Sequence, residues 1–446
     1  MPELYIQNFS CIKEATLSVS PVNVIIGPQG SGKSVTTKLL YFFTDVFNSF
    51  FDYAEQNVTI DYYKKHLSKQ FAIWFPPSAW GTDRLKLIYT AGDFDMRVLR
   101  RMSGGKLIDE VSIKFSDWFA EFYERTRNDF CKNITQIDDL IEETNSGTLL
   151  LDQSFRVRET ARQKFSNRLK SDYIAQQTFI PAGRAFFTTI GRLVAGFEQA
   201  GSLDPVTVKF ARLFANLKDR NVRQYLSIRQ NKLPSDYIEK RIGFMNQLFG
   251  GELRYERDLE YVQATDGRKI PFSSLSSGQQ ELLPMWSLID YFNDIDARRA
   301  TPLNAKIWAQ ELLYIEEPEA HLFPSAQSLL MDFLISSASH TRGTGKQRSL
   351  ILTTHSPYIM SKLNVFLKAG QLSRRKKRNH EINEIVPREC WLNDNQLSAY
   401  SIQDGILVNL LDSDGFIDGS YLDGISDEIS NSYSRLLQIE SEISSL

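Results

Sequence analysis

Apolar residues recur along the chain in two rhythms. Short, turn-bounded runs predict strands at Leu4-Tyr5-Ile6, Ala15–Val19, Val22–Ile26, Phe71–Phe75, Leu85–Tyr89 and Asp95–Leu99. Pro76-Pro77, Gly81-Thr82-Asp83 and Ala91-Gly92-Asp93 punctuate the last three, which reads as an antiparallel lobe. From Phe115 to about residue 172 the rhythm turns helical and charged. Phe115, Trp118, Phe119 and Phe122 stand at i, i+3, i+4, i+7 there, a stripe that reads as core. Gln177–Pro181 predicts another strand, residues 185 to about 250 are again mainly helical, and Leu253–Tyr255 and Tyr261–Gln263 return the chain. Glu281 to Phe292 predicts a helix, and Leu312–Ile315 and Leu350–Thr354 predict two buried strands. Ala399–Ile402 and Ile406–Leu410 flank Gln403-Asp404-Gly405, a hairpin signal. There is no internal repeat.

Composition narrows the class. A chain of 446 residues holds two or three structural units and a substantial core. With 52 Lys+Arg against 54 Asp+Glu it has no global polyanion-binding field, which leaves room for a local patch. Cys11, Cys131 and Cys390 are odd in number and far apart, matching neither a disulfide framework nor a zinc knuckle and suggesting a reducing compartment. No basic-then-apolar leader opens the sequence, and no apolar run approaches the ~18 residues of a membrane span. A soluble, cytoplasmic protein without a membrane partner is expected, and aromatics at 12% point to a packed fold.

Gly27-Pro28-Gln29-Gly30-Ser31-Gly32-Lys33-Ser34 fits G-x-x-x-x-G-K-[ST] between a predicted strand and a helix from Val35 to Phe43. In that context backbone N–H groups and the helix dipole face an anion, Lys33 bridges the outer phosphates and the Ser34 hydroxyl can ligate Mg²⁺. A nucleoside triphosphate, ATP with Mg²⁺, is the expected ligand.

Three later segments extend the chemistry. Leu275-Ser276-Ser277-Gly278-Gln279-Gln280 sits just before a helix, either as a second anion site or as a serine-rich cap. Leu312–Ile315 ends in Glu316-Glu317, followed by Pro318-Glu319-Ala320-His321-Leu322. Where the strand ends and the chain bends, one acid can reach a metal shell while its neighbour orients water. Leu350–Thr354 leads into His355-Ser356-Pro357, where a neutral imidazole could bond a γ-phosphate or the attacking water.

In this order the four segments resemble the ATP-binding-cassette ATPases of the RecF, SMC and Rad50 class. The resemblance implies an α/β fold, an ABC-type P-loop ATPase head with an antiparallel β lobe, a helical lobe and a helical insertion. It implies that Gly27, Gly30, Ser31, Gly32, Lys33 and Ser34 bind nucleotide as Walker A. It places Ser276, Gly278 and Gln279 in the signature, with Ser276 and Gly278 on the γ-phosphate of a second protomer. Glu316 with Ser34 would hold Mg²⁺, Glu317 would polarise water, and His355 would be the switch histidine. Hydrolysis in this class needs a head-to-tail pair, so a homodimer or higher homo-oligomer follows. Three departures stand out: Ser277 replaces the usual glycine, Glu316 the usual aspartate, and Pro181-Ala182-Gly183-Arg184 the glutamine loop. Arg184 either acts there or is structural. Any of these could slow hydrolysis; none removes nucleotide binding.

Leu4–Phe9 and Glu317–Leu322 look closest to a soluble subclass, the OLD-like nucleases and the ATPase subunits of anti-phage systems such as Septu, PARIS and certain retrons. No Toprim segment follows the histidine. Asp412-Ser413-Asp414-Gly415 reads as a turn, and no HNH-like cluster is evident among five histidines. The resemblance thus implies an ATPase that senses infection and holds a separately encoded nuclease or toxin. A RecF-like DNA ATPase is the alternative, supported by the run Arg374, Arg375, Lys376, Lys377, Arg378, which suits phosphates or equally a solvated loop. A hydrolysis-deficient scaffold is the third. The expected organisation is 1–114 and 273–446 as the two halves of the nucleotide domain, 115–172 as the insertion and 173–272 as the helical lobe.

Overall fold

The computed structural model describes all residues except 139–145, 191–202, 228–234, 257–258, 299–308, 340–345, 375–377, 420–429 and 438–446. Strands β1 (Glu3–Phe9), β2 (Ile12–Ser18) and β3 (Val22–Ile26) lead into helix α1 (Lys33–Glu55) and helix α2 (Ile60–Trp74). Strands β4 (Lys86–Ala91), β5 (Phe94–Ser103) and β6 (Lys106–Phe115) form a meander, followed by helices α3 (Asp117–Asp138) and α4 (Ser146–Leu169). Then come β7 (Ile174–Ile180), α5 (Ala185–Ile190), α6 (Pro205–Ser227), α7 (Ser235–Phe249) and the small strands β8 (Gly251–Tyr255), β9 (Glu260–Ala264) and β10 (Lys269–Pro271). The last third holds α8 (Ser277–Arg298), β11 (Ala309–Glu316), α9 (Pro324–Ser339), β12 (Lys346–Thr354), α10 (Pro357–Ser373), α11 (Asn379–Ile385), β13 (Leu397–Gln403) and β14 (Ile406–Asn409).

Eleven strands form one sheet in the order β6-β5-β4-β1-β2-β14-β13-β3-β12-β11-β7, while β10-β9-β8 pair separately. One side of the large sheet, β13-β3-β12-β11-β7, is parallel throughout. The other, β2-β1-β4-β5-β6, is antiparallel, and the β13–β14 hairpin joins the two. This is the expected α/β class with its antiparallel lobe.

The parallel strands are apolar on both faces, because helices cover both. Their side chains divide with period two. Ile25, Leu312, Tyr314 and Ile351 enter one core with α1, and Val24, Ile26, Leu313, Ile315, Leu350 and Leu352 enter another with α8, α9 and α10. The α1 core is strongly aromatic. Phe43, Phe47 and Phe50 on α1 are fully buried, each contributing about 1.5–3 kcal/mol of transfer free energy. Phe47 meets Phe94 and Phe165 edge-on, which ties the first helix to the lobe and to α4.

Two expectations are corrected. Phe71–Phe75 is no strand: Phe71 to Trp74 form the last turn of α2, and Phe75 is its C-cap. That helix buries only Tyr63, Leu67 and Phe71, a stripe one residue wide that left the apolar end of the helix as its loudest signal. Phe115 closes strand β6 instead of opening a helix, and α3 begins at Asp117. Strand β6 itself was not foreseen, because as an edge strand it buries only Val111 and Ile113.

Candidate functional site

The parallel strands share one direction, so their C-terminal ends lie on one edge of the sheet, the place where open α/β sheets present ligand sites. Register aligns Glu316 with Thr353, Thr353 with Ile25, and Ile315 with Ile180. The loop after β3, the acids after β11, the histidine after β12 and the turn after β7 therefore converge.

After β3 the chain turns through residues 27–32 into α1, with Gly32 as N-cap. Gly32 lies at φ +110°, and a Cβ there would fall 2.9 Å from both Cys11 Sγ and Ile12 Cγ1, so only glycine fits. Pro28, Gln29, Gly30 and Ser34 are exposed, and a cleft of about 510 Å³ opens between residues 28–31 and Cys11, Gln403 and Asp404. Lys33 is buried, and its Nζ donates to the Gly27 and Pro28 carbonyls at 2.8 Å each. Burial pushes the Lys33 amine below its ordinary value; the carboxylates of Glu317, Glu319 and Glu316, in that order, push it back up. The acids thus face the lysine across the edge.

At the end of β11 the chain bends as expected. Glu316 stays in extended register and is buried, whereas Glu317 adopts φ +44°, a left-handed conformation that turns its carboxylate off the strand. Glu316 Oε2 accepts from Ala182 N–H at 3.3 Å, and its Oε1 is buried without a partner. Ser31 Oγ in the loop is another buried, unpartnered oxygen. Such orphaned oxygens are costly unless a ligand satisfies them, and a cation and a phosphate group suit this donor set. Magnesium nucleotide therefore fits these residues, and Glu316 Oε1 and Ser34 would be the oxygens to hold the metal. His355 follows β12, its Nε2 3.5 Å from Glu317 Oε1, and both side chains are partly open to solvent.

Arg184 resolves in favour of structure. Its guanidinium is fully buried and donates to Glu281 O at 3.1 Å, Pro181 O at 2.9 Å, Glu316 O at 2.6 Å and Glu317 O at 3.0 Å. Its backbone N–H donates to Glu281 Oε2 at 2.8 Å. One side chain thereby ties the acid turn, the end of β7 and helix α8 together. Burial pushes its ionisation down, opposed first by Glu281 and then by Glu319, Glu316 and Glu317.

The signature residues meet other partners. Ser276 N–H and Oγ–H both donate to Gln279 Oε1 at 3.2 Å, and Gln279 N–H donates back to Ser276 Oγ at 3.3 Å, a reciprocal cap on α8. Gln279 Nε2 holds Phe249 O at 3.1 Å. Ser276 and Ser277 remain exposed, while Gly278 packs so closely that a Cβ would lie 2.5 Å from His321 O. The helix start thus rests on the turn that follows the acids.

In the basic run, Arg374 pairs with Asp394 at 2.8 Å and Arg378 with Glu381 at 3.5 Å. Arg375, Lys376 and Lys377 lie outside the described residues. Sequence reasoning gave no role to Glu281 or Glu319. The only signal was their position, directly after the signature and within the acid segment.

Residues 22–361, well over half of the chain, match the sequence model of the family described as "AAA domain, putative AbiEii toxin, Type IV TA system". No curated protein matches the chain by sequence. Among solved structures it is similar to the SMC head domain from Thermotoga maritima, with 13% identity and a TM-score of 0.33 over 91% of this chain and 97% of that one. It is also similar to the ATP-binding cassette MJ0796, a dimeric post-hydrolysis state bound to ADP and Pi, with 9% identity and a TM-score of 0.27 over 91% and 96%.

Proposed function

The chain belongs to that AAA-domain family, and from this premise we propose that it binds magnesium ATP at the Gly27–Ser34 loop and hydrolyses it between two copies of itself. The supporting observation is the convergence on one sheet edge of Lys33, Glu316, Glu317 and His355 around buried oxygens that lack partners. Loop N–H groups and Lys33 hold the phosphates, and the exposed mouth admits the nucleoside. Bound magnesium would neutralise the phosphate charge, held by Ser34 and Glu316. Glu317, turned off the strand, is the acceptor for a proton from water, and His355 Nε2 lies within reach to orient the same water. Ser276 and Ser277, exposed at the start of α8, are free to meet the nucleotide of a second copy.

The work done with this cycle is a sensor and scaffold role in anti-phage defence, holding a separately encoded nuclease or toxin. The family description, which names a "putative AbiEii toxin" of a type IV toxin–antitoxin system, supports a part in such a system. ATP shared across two copies gives a two-state assembly that turnover can shift. The RecF-like reading is weaker, since both described ends of the basic run pair within the chain. No described helix is long and apolar enough to cross a membrane.

Phosphate release from ATP by the wild type and Glu317→Gln tests the catalytic half. Turnover should fall about 10²–10⁴-fold while nucleotide binding persists; equal rates remove Glu317 from its role. Co-purification with the products of neighbouring genes, followed by native mass measurement, tests the scaffold half. A stoichiometric complex with a nuclease or toxin is expected, and a chain that purifies only with itself counts against it.

A further inference from the structure

Glu319 takes no part in the reading above, yet it holds a distinctive place. A single oxygen, Oε1, accepts from Thr354 Oγ1 and from His355 N–H, each at 2.7 Å. The other, Oε2, is buried without a hydrogen-bond partner. The same turn is tied internally, Ala320 N–H to Glu317 O at 3.1 Å and Leu322 N–H to Glu319 O at 2.9 Å. Glu317 N–H in turn donates to Thr353 O at 2.9 Å. The acid turn is therefore stitched to three successive residues at the end of β12: Thr353, Thr354 and His355.

The stitching matters because the pair it sets is loose. His355 Nε2 and Glu317 Oε1 stand 3.5 Å apart, longer than a formed hydrogen bond, so a few tenths of an ångström decide whether they share one water. The His355 ring hangs from a backbone N–H whose acceptor is Glu319, and Glu317 hangs from the same turn as Glu319. A displacement of that carboxylate moves the two groups relative to each other.

We propose that Glu319 is a positioning residue that fixes His355 against Glu317 through Oε1. The proposal rests on the ATPase reading of the site. Two neutral donors converge on one oxygen, so an amide oxygen serves as well as a carboxylate, and the effect is one of geometry and not of charge. That distinguishes it from a metal or electrostatic role, which the carboxylate alone would fill.

The test compares Glu319→Gln and Glu319→Ala in the full chain, reading phosphate release and, without nucleotide, hydrogen exchange at the His355 amide by NMR. Glu319→Ala should lower kcat roughly tenfold to a hundredfold with KM nearly kept, as a misplaced catalytic pair does, and should speed exchange at the His355 amide. Glu319→Gln should restore most of kcat and keep the amide protected. Glu319→Gln as slow as Glu319→Ala overturns positioning in favour of charge, and a Glu319→Ala protein with wild-type kcat overturns any role. A wild type without turnover sinks the ATPase reading alone; the amide readout then still decides whether Glu319 holds His355, and an equally protected amide in both variants refutes it.

Discussion

The phosphate loop and the acid turn sit on the same sheet edge but are built on opposite principles. The loop lies mostly at the surface, with Pro28, Gln29 and Gly30 exposed, and Lys33 donates to carbonyls of its own loop. The acid turn is held from several directions, by Arg184 beyond β7, which Glu281 of α8 holds in turn, by Thr353 from β12 and by the approach of Gly278. An anion cradle works through backbone N–H groups, so it needs only the right local conformation. A catalytic pair of side chains needs its supporting shell fixed, because small errors in placement cost rate. The two halves of one site should therefore fail differently.

Arg184→Met should show the largest effect. Removing the guanidinium leaves the buried Glu281 carboxylate without its cation and takes one donor from each of two carbonyls of the acid turn, a loss of about 3–5 kcal/mol in urea denaturation. Lysine should not rescue it, since an ammonium lacks the planar fork whose Nε, Nη1 and Nη2 reach Glu281 O, Glu316 O and Glu317 O together. Lys33→Ala, the counterpart in the loop, should leave the denaturation midpoint almost in place and remove nucleotide affinity instead. If both variants unfold alike, the contrast between the halves is wrong. Gly278→Ala should cost less, about 1–3 kcal/mol, because the added methyl meets a backbone carbonyl 2.5 Å away and the turn or the helix has to shift. A drop in turnover beyond that seen in the melting curve would show that α8 and the acid turn are coupled mechanically.

The same contrast governs what could be read from the sequence. The loop was legible because its eight residues carry their own conformation and its flanking strand and helix lie beside it. The bend at Glu316-Glu317 was legible as well, since a strand ending in acids before a proline has few other outcomes. The partners of those acids were not. Arg184 and Glu316 are 132 residues apart, and no local pattern marks a guanidinium that will end fully buried. The parallel strands announced themselves as continuous apolar runs, whereas α2 and β6 each bury too few side chains to give a clear period. Legibility followed the density of buried apolar side chains and the locality of contacts, not the importance of the residue.

Strand β3 is flanked by β12 on one side and β13 on the other, and β14 lies beside β2. Gly405 O accepts from Lys13 and Glu14 N–H, at 2.8 and 3.2 Å. Strands β2 and β3 therefore each wait for residues near position 400 before their second edge is covered. On a ribosome, where chains emerge from the amino end, this leaves the β2 and β3 edges open through most of synthesis. Closure by such distant partners makes folding slow for its size, and the early intermediate is the point at which a chaperone or a second nascent copy would intervene.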